Sequence, residues 1–80
     1  MYYVYILVSD RYSERCYVGV TGDIENRLAK HNKGDSIYTK KYAPWKIRSY
    51  VAFENRARAE VFEKYLKTGS GFAFLKKRLI

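Results

Sequence analysis

One stretch of the chain, YVGVTGDIENRLAKHN at residues 17–32, contains the chain's single histidine and an arginine one helical turn before it. At 3.6 residues per turn, one stripe of the predicted helix, about 100° wide, contains Ile24, Arg27, Leu28 and His31. An arginine there is suited to phosphate, because its planar fork can donate to two phosphate oxygens. The alternative is an arginine whose stem covers apolar surface while its head reaches water, beside a hydrogen-bonded histidine. The spacing does not decide between these interpretations.

Phenol hydroxyls are the second group that could take part in chemistry, and the chain has nine tyrosines. Tyr5 lies in the first predicted strand, and Tyr17 lies in its partner strand, near the end that leads into the helix. Because Tyr3 and Tyr5 point to the same face, that face carries hydroxyl groups that need hydrogen-bond partners. Considered from the residues alone, both rings favour packing in the core.

One carboxylate of the second predicted helix, Glu63, lies just beyond the edge of that helix's apolar arc. The arc contains Ala57, Ala59, Val61, Phe62, Tyr65 and Leu66. An ordinary role for Glu63 is an exposed ion pair with Lys67, four residues later, worth about 0.3–0.5 kcal/mol. Glu60 and Lys64 have the same spacing, so spacing alone does not distinguish the two glutamates.

The charge balance predicts a polyanionic partner. Sixteen Lys and Arg against eight Asp and Glu give a net charge of +8, which favours nucleic acid ahead of a membrane surface. A basic surface that serves only solubility is the alternative. The sequence has no Cys/His cluster for zinc, no Walker loop and no serine triad.

The distribution of apolar residues predicts a soluble protein in the cytoplasm. The longest apolar run, YYVYILV at residues 2–8, is far shorter than the roughly 20 residues of a membrane span, and no charged segment of a signal peptide precedes it. Cys16 is the single cysteine, which suits a reducing compartment. We expect it to be a small buried hydrophobe.

The first half of the chain predicts two strands and a helix. Residues 2–10 are apolar on both alternating faces, which indicates a central strand covered on both sides. A polar hairpin leads to a second strand at residues 16–20. TGD begins the first helix, with Asp23 and Glu25 in its first turn, and Gly34 ends it.

The second half predicts a strand and two helices. A basic, aromatic connection, DSIYTKKYAPWK, leads to a third strand at 47–53, with Ile47, Ser49, Val51 and Phe53 on one face. Asn55 caps a second helix that runs to about Lys67. Gly69 suits a left-handed C-cap, and Ser70 can cap a last helix, FAFLKKRLI. The order ββαβαα predicts one α+β domain over residues 1–80, with a small three-stranded antiparallel sheet flanked by helices.

Four blocks of the chain resemble the GIY-YIG nuclease family, in order and at the family's spacing. They are YVY at 3–5, YVG at 17–19, R-x-x-x-H at 27–31 and EKYLKTGSG from Glu63. The resemblance covers nearly the whole chain and is greatest to the short stand-alone bacterial members; the domain is also similar to the N-terminal nuclease domain of the excision-repair incision subunit. Tyr3 replaces the family's first glycine, and valines replace both isoleucines, at backbone or packing positions.

The resemblance implies metal-dependent hydrolysis of phosphodiester bonds in DNA. Tyr5 and Tyr17 take the positions of the two motif tyrosines, and Arg27 that of the helix arginine. His31 corresponds to a histidine of some branches, and Glu63 to the glutamate that holds one Mg²⁺ or Mn²⁺. Tyr5 is then the leading general base, with Tyr17 or His31 assisting. A phenol has an ordinary pKa near ~10, so the metal and Arg27 are expected to bring that pKa closer to neutral.

The basic residues between the first helix and the third strand are candidates for tracking the DNA backbone; they are Lys40, Lys41, Lys46 and Arg48. A solvated basic loop is the alternative. Because family members usually carry a separate targeting domain and no such segment is evident here, we expect structure-directed or weakly specific cleavage in DNA repair or processing. An unknown targeting protein is a possible partner, and nothing in the sequence indicates an oligomeric state. The alternatives are a non-catalytic nucleic-acid-binding module and an interaction domain on a relic of the fold.

Overall fold

The computed structural model describes residues 1–34 and 36–80, in which three antiparallel strands form one sheet with helices packed on both faces. In chain order the elements are β1 (Tyr2–Ser9), β2 (Cys16–Thr21), α1 (Ile24–Asn32), α2 (Ile37–Lys41), β3 (Trp45–Phe53), α3 (Arg56–Leu66), α4 (Gly69–Phe74) and a π-helical segment (Leu75–Leu79). The predicted α+β architecture is confirmed, with α2 as an additional short helix. In this part of the chain, every helix is too short or too polar to cross a membrane.

The first strand is central, as its apolar residues predicted, because the strand order is β2-β1-β3. Val4 and Ile6 point to one face, where they pack with Ala59 of α3 and with other side chains of the C-terminal helices. Tyr5 and Leu7 point to the other face, toward α1 and the start of β3. We call these the α3 face and the α1 face. These four side chains, Val4, Tyr5, Ile6 and Leu7, are each at most 2% exposed. Both faces of β1 therefore contribute to the hydrophobic core.

A bulge at Arg48 changes the predicted pattern of β3. Ile6 pairs with Ser49 and Leu7 with Ile47, so Arg48 is an extra residue between two pairs. Ile47 therefore packs on the α1 face, whereas Ser49 hydrogen-bonds to the π-helical segment on the α3 face. The prediction that Ile47 and Ser49 share a face was wrong, since one extra residue moves the following side chains to the opposite face.

The first helix has the predicted ends and the predicted buried stripe. The Asp23 carboxylate accepts a hydrogen bond from the Asn26 backbone N–H at 3.1 Å. After the helix, Gly34 has a φ of +82°, a left-handed conformation that favours glycine. His31 is only 1% exposed, and Arg27 is half-buried. The stripe therefore faces the sheet and carries both polar side chains with it.

The connection between α1 and β3 contains a helix that the sequence did not predict. Its N-cap, Ser36, forms a reciprocal capping pair with Thr39. Asp35, the first residue of the predicted connection, lies outside the described residues. The Trp45 indole N–H donates to the Thr39 carbonyl at 2.9 Å, so α2 packs against the beginning of β3. That strand begins at Trp45, two residues before its predicted start.

The break between the last two helices differs from the prediction. The second helix is capped by Asn55 as predicted. The Thr68 hydroxyl then donates to the Tyr65 carbonyl at 2.7 Å and accepts from the Gly71 N–H at 3.1 Å. Because Thr68 caps α4, Gly69 is already helical, and the predicted left-handed cap at Gly69 and N-cap at Ser70 were wrong.

Part of the predicted apolar arc of α3 faces solvent. The side of α3 that packs on the sheet follows an i, i+3, i+4, i+7 stripe: Ala59, Phe62, Glu63 and Leu66. Val61 is 69% exposed and Tyr65 is 41% exposed, contrary to the predicted arc. A surface groove of about 550 Å³, the α3 groove, is lined by Phe53, Ala57, Arg58, Val61, Phe62 and Tyr65. Glu63 thus lies inside the packing stripe, rather than beyond its edge.

Candidate active site

A tyrosine hydroxyl is the centre of the polar contacts between the sheet and α1. The Arg27 Nε–H donates to the Tyr5 hydroxyl oxygen at 3.3 Å. A second hydrogen bond joins that oxygen to His31 Nε2 at 3.0 Å. The Tyr5 side chain is 2% exposed. Burial and the two hydrogen bonds from α1 together fix the position of its hydroxyl group.

The glycine of the YVG block leaves the space that this hydroxyl needs. Gly19 is the β2 residue that pairs with Tyr5. A Cβ atom on Gly19 would overlap the Tyr5 hydroxyl and would lie 2.6 Å from Tyr5 Cζ. The absent side chain therefore lets the phenol extend across β2, the edge strand of the sheet, and the YVG block positions Tyr5 as well as Tyr17.

The second motif tyrosine joins the same group. The Tyr17 ring centroid is 4.5 Å from that of His31 and 6.3 Å from that of Tyr5. The structure thus brings together four residues singled out in the sequence, and we call them the Tyr5 cluster: Tyr5, Tyr17, Arg27 and His31.

Burial controls the acidity of the central phenol. It raises the pKa of Tyr5, while the hydrogen bond from Arg27 and its positive charge lower that pKa by less. The charges of Tyr17 and Glu63 raise it further. Arg27 thus acts in the expected direction, and the net pKa shift that the protein's own residues give Tyr5, without the expected metal, is upward.

Glu63 and the phenols of the Tyr5 cluster belong to elements on different faces of the sheet but lie near the same edge. Glu63 belongs to α3, which packs on the opposite face from α1. Its charge nevertheless raises the pKa of Tyr5, and its Oε2 atom contacts Lys67 Nζ at 2.6 Å. Lys67 and Tyr17 line a common groove along β2. The carboxylate and the phenols therefore lie near the same edge, where the two helix layers meet.

The two glutamates with equivalent spacing have different environments. The Glu63 side chain is 19% exposed, whereas that of Glu60 is 49% exposed. Glu60 pairs with Arg56 at 3.3 Å, on the outer side of the helix. The structure therefore separates a partly buried carboxylate near the phenols from an ordinary surface carboxylate.

The donor set at Glu63 fits a hydrated hard cation. Among residues 1–34 and 36–80, no three His, Cys, Asp or Glu side chains are grouped as a full metal site. One partly buried carboxylate suits Mg²⁺ or Mn²⁺, because Mg²⁺ typically keeps several waters and binds one or two carboxylates with substrate phosphates. The Lys67 ammonium at 2.6 Å shows that the carboxylate already attracts a cation.

Two of the four predicted DNA-tracking residues lie at the opposite edge of the sheet from β2. Lys40 and Lys41 are at the end of α2. Lys46 and Arg48 are on β3, at the opposite edge of the sheet from β2, and Lys46 pairs with Asp10 at 3.2 Å. All four are exposed, which is compatible with phosphate contacts, but Lys46 and Arg48 do not share the β2 edge with Tyr17 of the Tyr5 cluster.

Comparison with known proteins identifies the family. The model of the GIY-YIG catalytic domain matches residues 1–77 of the chain. The chain belongs to the GIY-YIG family. This is a nuclease family, and the match over residues 1–77 includes all four sequence blocks described above.

Several relatives of this GIY-YIG domain differ in length. A UPF0213 protein of Clostridium perfringens is 38% identical over 68 residues, a match covering 84% of this chain and 71% of that protein. The UPF0213 protein YsiG of Lactococcus lactis is 41% identical over 68 residues, covering 82% and 62%. The structure-specific endonuclease subunit slx1 of Schizosaccharomyces japonicus is 39% identical over 67 residues, covering 78% of this chain and 24% of that protein.

Sequence reasoning missed a groove beside the Tyr5 cluster of this GIY-YIG domain. The β2 groove has a volume of about 360 Å³ and is lined by Cys16, Tyr17, Val18, Tyr38, Leu66, Lys67 and Phe72. Cys16 is half-buried at its rim, so the prediction of a buried core thiol was wrong. Tyr38 and Phe72 come from α2 and α4, two elements whose position depends on tertiary packing, and no spacing in the sequence relates them.

Proposed function

We propose that this protein is a metal-dependent endonuclease that hydrolyses phosphodiester bonds in DNA. The observation that supports this best is the Tyr5 hydroxyl, held between Arg27 Nε at 3.3 Å and His31 Nε2 at 3.0 Å. The influence of Glu63 on the pKa of Tyr5, the family match over residues 1–77 and the net charge of +8 support the same function.

In this proposal, Tyr5 is the general base and Arg27 binds the phosphate. A water molecule attacks phosphorus in line with the leaving oxygen, and the Tyr5 phenolate takes its proton as the new P–O bond forms. The P–O bond to the leaving oxygen breaks, and that oxygen takes a proton from solvent. Arg27 stabilises the negative charge on the phosphate oxygens, since charge that develops in a preorganised polar site is stabilised efficiently. His31 orients the phenol through its hydrogen bond, and Tyr17 packs beside both rings.

Glu63 is the proposed metal ligand, with water and phosphate oxygens as the remaining ligands of Mg²⁺ or Mn²⁺. When bound, the cation supplies positive charge that offsets the charge on the phosphate and the leaving oxygen. Lys67 would have to move away from Glu63 for this, which breaks an ion pair between a partly buried carboxylate and an exposed ammonium. The Lys67 side chain is 55% exposed, so water can solvate it after it moves.

The proposed substrate is DNA with a structural irregularity. The slx1 relative is named a structure-specific endonuclease subunit, and structure-directed cleavage in DNA repair or processing is our proposal for this chain. Exposed basic residues, Lys40, Lys41, Lys46 and Arg48, provide phosphate contacts away from the cleavage site in this proposal. We also propose that residues 1–80 form a single domain and that a separate protein directs it to its target. A cytoplasmic location is part of the proposal, because it suits an unpaired cysteine.

Incubation with plain, nicked and branched DNA of the same sequence tests the proposed activity. We expect cleavage with Mg²⁺ or Mn²⁺ and no cleavage with EDTA, because the phosphate charge then lacks the cation. Branched or nicked DNA should be cleaved faster than plain duplex. Salt-sensitive binding that is indifferent to the metal, with no cleavage of any of the three DNAs, would instead indicate a non-catalytic nucleic-acid-binding module.

The rate of cleavage should rise with pH. Burial raises the pKa of Tyr5 above its ordinary value, so the phenol is almost fully protonated at pH 7, and the phenolate fraction grows tenfold per pH unit below the pKa. We expect single-turnover rates at saturating Mg²⁺ to rise with pH by up to about tenfold per unit, and to level off only above the pKa that Tyr5 has in the metal-bound protein. Tyr5→Phe should lower the rate and abolish this rise. If the rate of the parent protein does not change with pH, Tyr5 is not a general base that must first be deprotonated.

A further inference from the structure

The β2 groove has the volume of a small-ligand site, and Tyr17 of the Tyr5 cluster is part of its lining. Its volume of about 360 Å³ falls within the roughly 300–1,000 Å³ that is usual for such sites. Tyr17 belongs to both the groove and the cluster. A group bound in the groove is therefore adjacent to the proposed cleavage centre.

One wall of the groove is an aromatic ring held in a fixed position. The Tyr38 hydroxyl donates to the Cys16 carbonyl of β2 at 3.0 Å. The ring also stacks on Trp45, with centroids 5.8 Å apart and planes at 29°, yet Tyr38 remains 38% exposed. A ring that is already ordered can stack on a ligand without further loss of conformational entropy.

Another part of the groove lining combines an exposed ring with positive charge. Phe72 is 44% exposed, and Lys76 Nζ lies 5.5 Å from its ring centroid. The charge of Lys76 also lowers the pKa of Cys16, against the upward effect of burial, which indicates that this ammonium is near the β2 rim. Lys67, 55% exposed, is the second cation at the groove. Aromatic faces flanked by cations are the combination that binds single-stranded nucleic acid.

We propose that the β2 groove binds one unpaired nucleobase of the DNA substrate by stacking, next to the phosphate that is cleaved. Bases inside a duplex are stacked on their neighbours and enter such a groove only after costly unstacking, whereas unpaired bases do not pay this cost. The groove therefore selects DNA with unpaired nucleotides. This inference rests on the proposed nuclease function for its biological meaning, but base binding is measured without any cleavage step.

Binding of two DNAs in EDTA tests the inference. One is a plain duplex, and the other carries an unpaired flap with 2-aminopurine at the flap base nearest the junction. We expect quenching of 2-aminopurine fluorescence on binding and tighter binding of the flap DNA by anisotropy. Phe72→Ala should reduce the preference for flap over duplex by about 5- to 150-fold, the range for loss of one stacked base. Phe72→Tyr keeps the ring and should keep the preference.

Phe74→Ala is the matched control, because Phe74 lies on the same helix and is 38% exposed but contacts Tyr65 rather than the β2 groove. It should retain the parent preference. The inference is overturned if Phe72→Ala keeps that preference or if the flap base is not quenched, even when the protein cleaves DNA. If Phe72→Ala loses the flap preference but the parent protein cleaves no DNA, base binding is supported and the proposed nuclease function is overturned.

Discussion

Replacing Glu63 with glutamine should reduce DNA cleavage by at least about a thousandfold at saturating Mg²⁺. Glutamine has nearly the same shape, so the packing stripe of α3 is retained, but its neutral amide is a poor ligand for a hard cation. The loss corresponds to the several kcal/mol that a bound metal contributes to stabilising charge on a phosphoryl oxygen. Single-turnover cleavage of branched DNA measures the rate, and a titration with Mn²⁺ followed by electron paramagnetic resonance measures metal binding directly.

Glu60→Gln is the matched control for this variant. It removes a carboxylate from the same helix and breaks the ion pair with Arg56 at 3.3 Å, but the Glu60 side chain is 49% exposed and lies on the outer side of α3. Cleavage and Mn²⁺ binding should stay within about twofold of the parent values, since such surface pairs contribute little. If Glu63→Gln cleaves as fast as Glu60→Gln, Glu63 is not the metal ligand.

Gly19→Ala should reduce cleavage by about a hundredfold while changing no ionisable group. The added methyl group would overlap the Tyr5 hydroxyl and lie 2.6 Å from Cζ. The ring is 2% exposed and held by Arg27 and His31, so it can move aside only by losing these contacts. A displacement of about 1 Å at a reacting group can cost this much in rate. Single-turnover cleavage is measured at a temperature where circular dichroism shows the variant to be folded.

Gly22→Ala is the control for Gly19→Ala, since a Cβ atom at Gly22 has no heavy atom within 4 Å; it should cleave normally. Overpacking at Gly19 is also expected to lower the free energy of unfolding by about 1–3 kcal/mol. Combining Gly19→Ala with Tyr5→Phe removes the overlapping hydroxyl and should restore part of that stability without restoring cleavage. Normal cleavage by Gly19→Ala would show that the position of the Tyr5 hydroxyl does not matter for the reaction.

The features predicted correctly from the sequence depend on local chemistry. The start of α1 after TGD, its end at Gly34 and the two-sided burial of β1 follow from residue type and alternation over a few neighbours. The shared stripe of Arg27 and His31 follows from helical periodicity. The features predicted incorrectly depend on packing between distant segments. Three adjacent residues, Thr68, Gly69 and Ser70, all suit a helix boundary, and the tight turn between α3 and α4 selects the first of them.

The candidate site was predictable in its residue types but not in its geometry. Spacing placed Arg27 near the phenols, yet only the pairing of Tyr5 with Gly19 shows how the hydroxyl crosses the edge strand. The i, i+3, i+4, i+7 stripe through Glu63 was present in the sequence, and weighing it would have distinguished Glu63 from Glu60. The β2 groove had no such signal, because Tyr38 and Phe72 come from short helices with no periodic pattern.

Because of the α3 groove, we expect the behaviour of concentrated solutions to depend on ionic strength. Val61 and Tyr65, 69% and 41% exposed, present apolar surface that favours self-association, while the +8 net charge keeps copies apart. Added electrolyte shortens the range of this repulsion to about 10 Å at 0.1 M and also weakens the contacts with DNA phosphates. If cleavage falls at high salt, weaker DNA binding and self-association are the two expected causes, and sedimentation of the protein alone over the same salt series distinguishes them.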